Sequence, residues 1–268
     1  MNNPIVIKIG GSTLGSHDTT IEDIVSLQKQ GKRLVVVHGG GKIITDWLYK
    51  QNIVSQFVRG ERITDRASLD VVAAVLAGLV NKEIVAAVNS GGGRAVGLSG
   101  VDGELIEGKI REREMGYTGV VTGVNKAVLE TLLTADYVPV VAPLGFNTLE
   151  SKPEATKMLN INADIVAGEV AAALDSERLV FLTDVTGVLD RLGKLLPRLT
   201  SGEVETLITS GVASGGMIPK LNACLRAVSG KGTASIIDGR KPHALLNDIE
   251  GKGEGTIIMR EYIQDLRD

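Results

Sequence analysis

Apolar residues concentrate in short runs at residues 4–9, 33–38, 95–99, 137–142, 178–183 and 234–238. Each run is rich in Val, Ile and Leu with little alternation, the pattern of strands covered on both faces of a parallel sheet. Between the runs the apolar spacing becomes helical. One helix is expected to follow Asp18, a candidate N-cap, and to reach about Gln30, where Gly31 supplies the stop. The longest covers residues 65–89, with Leu69, Val72, Leu76 and Val80 along one stripe. Two more are expected over residues 163–174 and 216–230. Strands alternating with helices predict an α/β fold, an open, mainly parallel three-layer α/β/α sandwich.

The rhythm breaks twice. Within residues 105–124, the stretches 107–110 and 117–122 read as a β-hairpin projecting beside the sheet, and residues 140–159 form a second irregular, turn-rich passage. No linker divides the chain. One continuous domain is expected over residues 1–268, with an N-terminal half over about 1–175 and a C-terminal half over about 176–268.

Composition narrows the class. A chain of 268 residues is long enough to bury a sizeable core. The net charge of −3 leaves no broad basic field, which argues against nucleic acid or an anionic membrane as the main partner. A single cysteine, Cys224, excludes a disulfide framework and points to a reducing compartment. No apolar run approaches the roughly 20 residues of a membrane span. The N-terminus enters a strand without the basic start of a signal peptide, so a cytoplasmic setting is expected.

Candidate chemistry sits at strand ends. The first strand runs into Gly10-Gly11-Ser12 and the second into His38-Gly39-Gly40-Gly41-Lys42. Both clusters occupy the carboxyl edge of an α/β sheet, where ligands bind and backbone N–H groups can meet an anion. Either a phosphate site or a pair of tight turns without a ligand fits this pattern. Every Gly-Lys pair lacks the Ser or Thr of a P-loop, no G-x-G-x-x-G or G-x-S-x-G occurs, and His17, His38 and His243 match no zinc spacing.

Lys8 lies inside an apolar strand, where a buried ammonium requires an anion unless it snorkels to the surface. Lys220 follows the glycine-led helix start Gly215-Gly216-Met217-Ile218-Pro219, and Asp164 opens a helix after Asn160-Ile161-Asn162-Ala163. Read singly, they also fit a solvated helix lysine and a first-turn aspartate. Together they suit a negatively charged phosphoryl transition state. Arg62, in Gly60-Glu61-Arg62-Ile63-Thr64-Asp65, is either a carboxylate clamp or a surface charge.

The order of the motifs is more specific than any one of them. Lys8-Ile9-Gly10-Gly11-Ser12, His38-Gly39-Gly40-Gly41, Arg62-Ile63-Thr64-Asp65, Gly97-Leu98-Ser99-Gly100, Asn160-Ile161-Asn162-Ala163-Asp164, Leu182-Thr183-Asp184-Val185-Thr186-Gly187-Val188-Leu189, Gly215-Gly216-Met217-Ile218-Pro219-Lys220 and Ile237-Asp238-Gly239-Arg240-Lys241-Pro242-His243 follow one another along the chain. The set resembles the amino acid kinase family over nearly the whole length. Within that family it is most similar to the branch that phosphorylates the side-chain carboxylate of N-acetyl-L-glutamate in arginine biosynthesis.

The resemblance implies ATP as phosphoryl donor and Mg2+ bridging its phosphates, with no obligatory protein carboxylate on the metal. It implies that Lys8 and Lys220 stabilise the transferring group and that Asp164 orients both. Gly10, Gly11 and Gly41 would offer N–H groups to the phosphates. Gly40, Gly41, Arg62 and Asn160 would hold the acetylamino acid in the N-terminal half. Asp184, Val185, Thr186, Gly187, Val188 and Leu189, with Ser214, Gly215 and Gly216, would flank the nucleotide in the C-terminal half.

Some residues depart from the family pattern. Glu61 stands where the family often has an apolar residue, and it leaves the local side-chain direction open. Val101 stands where this branch often has lysine and also occurs in the related kinases of carrier-linked aminoadipate or glutamate. That reading, and a non-catalytic relative that senses amino acid or nucleotide, are the alternatives. Finally, Leu69, Val71, Val72, Val75, Leu76, Leu79 and Val80 exceed the one apolar stripe a sheet-facing helix needs. A two-fold contact with the same helix of a second copy is expected, unless a neighbouring element covers the excess. The first strand begins by Ile5, without the preceding helix of hexameric, arginine-inhibited members, so the expectation is a homodimer that arginine does not inhibit.

Overall fold

The computed structural model describes residues 3–10, 19–152 and 154–261, so Asp18 and Gly11 lie outside the described residues. The chain runs β1 (Ile5–Ile9), α1 (Thr20–Lys29), β2 (Leu34–His38), α2 (Gly41–Lys50), the small hairpin β3 (Phe57–Val58) and β4 (Glu61–Arg62), α3 (Arg66–Ala73) and α4 (Asn81–Ser90). It continues through β5 (Ala95–Ser99), β6 (Ile106–Ile110), β7 (Thr118–Val124), α5 (Ala127–Thr134), β8 (Val138–Ala142), β9 (Leu144–Asn147), β10 (Met158–Ile161) and α6 (Ala163–Ala173). The last third holds β11 (Arg178–Thr183), β12 (Arg198–Thr200), α7 (Ser201–Thr209), α8 (Met217–Ala227), β13 (Thr233–Asp238), α9 (Ala244–Ile249) and β14 (Gly255–Met259).

Eight strands form one sheet in the order β12-β14-β13-β11-β1-β2-β8-β5. Every neighbouring pair is parallel except β13 with β14. The expected strands are all present within a residue of their ends. Side chains alternate between two cores. Ile5, Ile7 and Ile9 of β1 join Val36, Val140, Val180 and Leu182 on the face covered by α1, α3, α4 and α9. Val6 joins Val35, Val37, Val141, Leu179 and Phe181 on the face covered by α6 and α8. The period of two therefore sends Lys8, like Val6, toward α6 and α8.

The hairpin forms, with β6 and β7 antiparallel, but it does not project alone. Two strands from the passage expected to be irregular, β9 and β10, close it into a four-stranded barrel in the order β10-β7-β6-β9. Burial explains the difference: Ile106, Leu159 and Ile161 are all enclosed, and two strands alone would leave them in water.

The longest helix starts as expected at Asp65, whose carboxylate accepts the Ser68 N–H at 2.7 Å. It runs 25 residues, Arg66–Ser90, but Ala74–Val80 between α3 and α4 is π-helical. Contrary to expectation, this helix is long and apolar enough to cross a membrane by length and composition. It packs as a core helix on the sheet. A second correction follows from the same packing. Leu69, Val71, Val72, Val75, Leu76 and Val80 are buried within the single chain, and Leu79 is half-buried. The apolar excess that predicted a second copy is covered by the chain itself.

On the other face α6 and α8 approach closely. A Cβ on Gly168 would lie 2.8 Å from Cα and Cβ of Ala223, so only glycine permits this contact. Gly168 is one turn from Asp164, and Ala223 is one turn from Lys220, so the contact also sets the spacing of those two side chains. Gly168→Val is expected to lower stability by about 1–3 kcal/mol through overpacking, read as a lower urea midpoint, and to reduce turnover with it. An unchanged midpoint would remove the close approach as a constraint.

Candidate active site

Asp164 opens α6 behind its N-cap Asn162, whose side chain accepts the Asp164 N–H at 2.8 Å. Its two carboxylate oxygens are divided between two cations. Lys8 Nζ lies 2.8 Å from Oδ1, at ion-pair distance but off the hydrogen-bond axis. Lys220 Nζ donates a hydrogen bond to Oδ2 at 2.8 Å. Burial alone would push the Asp164 carboxyl up, but Lys8 and then Lys220 outweigh it and hold it below the ordinary carboxylate value. Two ammonium groups against one carboxylate leave an excess positive charge at the carboxyl edge of β1. A desolvated cluster with surplus positive charge is arranged for an anion that arrives later.

A cavity of about 180 Å3 opens beside this cluster and is lined by Lys8, Asp164, Gly41, Arg62 and Asn160. The structure thus gathers, around one space, residues from four separate motifs. Arg62 ends β4 and is mostly buried. Its Nη1 donates to Ser55 Oγ, and Nη2 donates to Gly41 O at 3.1 Å and Thr45 Oγ1 at 2.9 Å. Its guanidinium stacks 4.6 Å from the centre of the Phe57 ring. Among the described residues no carboxylate pairs with it. A buried guanidinium with only neutral partners retains its attraction for a carboxylate ligand.

The Arg62 backbone is fixed from behind. Thr64 Oγ1 and Thr118 Oγ1 both donate to Arg62 O, at 3.0 and 2.6 Å, and Asn160 Nδ2 donates to Thr64 Oγ1 at 2.9 Å. Sequence reasoning missed Thr118 and the role of Thr64. Nothing in the sequence signals that β7 and β10 bring them to β4. Glu61 also lines the cavity, but its carboxylate reaches Arg111 at 3.2 Å. Burial raises the Glu61 pKa and Arg111 opposes the rise. A second pair, Arg59 with Glu112 at 3.3 Å, joins the same two segments.

The glycine turns divide. Gly41 has open space around its Cα and faces the cavity. Gly40 packs inward instead, since a Cβ there would lie 2.8 Å from Leu76 Cδ2. The expected donor at Gly10 is corrected: its N–H donates to Leu182 O at 3.1 Å and extends the β1–β11 ladder. Gly11 lies outside the described residues.

Of the residues expected to flank a nucleotide, Asp184, Val185, Thr186 and Leu189 are exposed on the loop after β11. Gly187 and Val188 turn inward, with the Val188 side chain in the core and its N–H donating to Thr256 Oγ1 at 2.8 Å. They shape that loop from below and present no side chain to a ligand. Ser214, Gly215 and Gly216 are exposed ahead of α8, the helix that carries Lys220.

Asp164→Asn removes the charge between two largely buried lysines. A loss of about 3 kcal/mol at neutral pH is expected from breaking one side of a buried pair. The pH dependence has a definite sign. The carboxyl pKa is lower in the folded chain, so its contribution is complete above the unfolded value of about 3.9 and disappears as pH falls through the folded value. Urea midpoints of the two proteins should converge below about pH 4. A gap that stays constant through acid would place the stabilisation elsewhere.

The amino acid kinase family profile matches residues 3–238. A relative from Dehalococcoides mccartyi named acetylglutamate kinase is 46% identical over 263 residues, covering 98% of this chain and 97% of its own. Another so named, from Nostoc sp., is 47% identical over 264 residues, covering 95% of this chain and 87% of its own. Among solved structures, smu.665 from Streptococcus mutans UA159 superposes with a TM-score of 0.80 at 30% identity, over 97% of this chain and 99% of that one. The family match reaches from the strand that carries Lys8 to the carboxyl end of β13, and the chain belongs to the amino acid kinase family.

Proposed function

We propose that this chain transfers the γ-phosphoryl group of ATP to the side-chain carboxylate of N-acetyl-L-glutamate in arginine biosynthesis. The observation that carries this reading is the Lys8–Asp164–Lys220 cluster opening onto a cavity whose far wall holds a buried arginine that no carboxylate among the described residues pairs with. The substrate has two carboxylates, and the two cationic groups separate their roles. Arg62 holds the α-carboxylate, which does not react. The side-chain carboxylate faces Lys8.

A carboxylate oxygen forms a bond to the γ-phosphorus as the bond from phosphorus to the bridging oxygen of ADP breaks, giving N-acetyl-L-glutamyl 5-phosphate and ADP. Lys8 and Lys220 neutralise charge on the equatorial oxygens, and Asp164 holds both ammonium groups before the nucleotide arrives. The N-terminal half supplies the acid site. The exposed loop after β11 and the segment ahead of α8 supply the nucleotide site. Among the described residues no three metal-ligating side chains gather, and Asp164 is committed to the lysines. In this reading Mg2+ would accompany the phosphates of the nucleotide and lower their charge. The setting is cytoplasmic.

The assembly in this reading is a homodimer. Support comes from the family resemblance and from the outer side of the longest helix, where Ala67 and Ala74 are exposed next to Trp47, itself 41% exposed, and Gly78 is exposed one turn further on. Small residues there allow a second helix to approach closely. Light scattering should give twice the chain mass; the mass of one chain would remove this part.

ATP, N-acetyl-L-glutamate and hydroxylamine should yield a hydroxamate, the trapped form of an acyl phosphate. A panel of acids in which another substrate reacts and N-acetyl-L-glutamate does not would overturn the substrate. Lys8→Ala and Lys220→Ala should each lower kcat by at least about 100-fold, the scale of one preorganised donor. Arg62→Ala should instead raise KM more than it lowers kcat, as expected for lost uniform binding. Near-normal turnover in either lysine variant would end its assigned role.

A further inference from the structure

His38 has no part in the chemistry above, yet it is fully buried at the end of β2, directly before the glycine turn. Its neighbour across the core is Asn81, also fully buried, at the start of α4. Asn81 Nδ2 faces three acceptors: Val140 O at 2.8 Å, Leu98 O at 3.3 Å and His38 Nε2 at 3.2 Å. Two of these are backbone carbonyls, which only accept, so the atom facing them must be the amide nitrogen. Lys82 Nζ donates to Asn81 Oδ1 at 3.0 Å and fixes the same orientation from the other end. His38 Nε2 must then be the lone-pair nitrogen. A neutral ring carries its hydrogen on Nδ1, and Nδ1 lies 3.0 Å from Gly39 O. The surrounding network therefore selects the tautomer.

Gly39 is held through both of its backbone polar groups, which belong to successive peptides. Its N–H donates to Ile9 O at 3.0 Å, and its carbonyl receives His38. In a trans peptide the C=O and the following N–H point in opposite directions. With the Gly39 carbonyl drawn to the ring on the α4 face, the Gly40 N–H is directed away from that face.

We infer that His38, as the neutral Nδ1–H tautomer, is a positioning residue for phosphoryl transfer: by holding the Gly39 carbonyl it aims the Gly40 N–H toward the side where Lys8 and Asp164 lie. This rests on the proposed role of the Lys8 cluster. The environment keeps the ring in that state. Burial, together with the charges of Lys8 and Lys82, lowers the His38 pKa to about 4, although the Gly39 carbonyl favours the protonated form. A protonated ring would also set its Nε2–H against the Asn81 Nδ2–H. Gly40 belongs to the same device, because a Cβ there would lie 2.8 Å from Leu76 Cδ2 of the π-helical turn, so the turn closes against the helix only with glycine.

Two substitutions separate the two bonds of the ring. Asn places an amide nitrogen where Nδ1 was and preserves the bond to Gly39 O. Gln places an oxygen near Nε2 and preserves the bond from Asn81. Both lose the ring, so both should melt at similarly reduced temperatures. His38→Asn should keep kcat within about 3-fold, whereas His38→Gln should lose at least about 10-fold with KM for N-acetyl-L-glutamate unchanged, the signature of a misplaced donor. Equal turnover in the two variants would overturn the inference. A second measurement does not depend on activity or on the substrate assignment. In the 15N spectrum of the unmodified chain at pH 7, His38 should show a protonated Nδ1 and an unprotonated Nε2. The Gly40 and Gly41 amide signals should move in the Gln variant and stay in the Asn variant. An Nε2–H tautomer or an imidazolium would overturn the inference even if the wild-type chain phosphorylated a different acid.

Discussion

A carboxylate shared between two lysines in a nearly dry site governs the rest of this molecule. Either lysine without Asp164 would be an unpaired charge against the core, and without them burial would push the Asp164 carboxyl up. The three groups come from β1, α6 and α8, so the strand and both helices must meet within the length of two lysine side chains. The Gly168–Ala223 contact makes that possible. Without a side chain at position 168, the helix axes come close enough for Lys220 to reach across the first turn of α6. The surplus positive charge left by this arrangement is the property a phosphoryl acceptor site requires.

The sheet separates chemistry from support. Lys8 projects to the α6–α8 face, and His38, at the end of the neighbouring strand, projects to the α4 face. The long helix serves the second face in two ways. Its π-helical turn places Leu76 on Gly40, and its next residue, Asn81, ties the ends of β2, β8 and β5 together through His38, Val140 O and Leu98 O. Local π-helical geometry is costly in an apolar stretch unless packing selects it. Here it presents both residues to the glycine turn.

The cavity wall that carries Arg62 has a different origin. Arg62 stands on a two-stranded hairpin too short to be stable alone, with Phe57 exposed to 54%. Two hydroxyls fix its carbonyl from the barrel side, while Glu61–Arg111 and Arg59–Glu112 tie the hairpin to the β6–β7 connection. The opposite sense of the two pairs resists sliding between the segments. It also sets Arg111 against the Glu61 carboxylate at the edge of the cavity.

Much of this was legible in the sequence, and the reason is periodicity. Unbroken Val/Ile/Leu runs identify strands buried on both faces, and glycine clusters at their ends identify the binding edge, because both follow from local geometry. Lys8, Asp164 and Lys220 were readable as anomalies, charged residues in places that require a partner. Their partnership was not, since it joins positions 8, 164 and 220 through a packing contact that no spacing encodes. The same limit hid β9 and β10, whose four residues each carry too little pattern to register until the barrel buries them. It also misdirected the reading of the long helix, where hydrophobicity indicates burial without saying what supplies it; in this structure the sheet and α2 cover the residues assigned to a partner. The N–H of Gly10 and the tautomer of His38 belong to the same class. The sequence determined which residues were available for the site, and only the tertiary structure decided which hydrogen-bonding groups were already spent, because those bonds join atoms from strands and helices far apart along the chain.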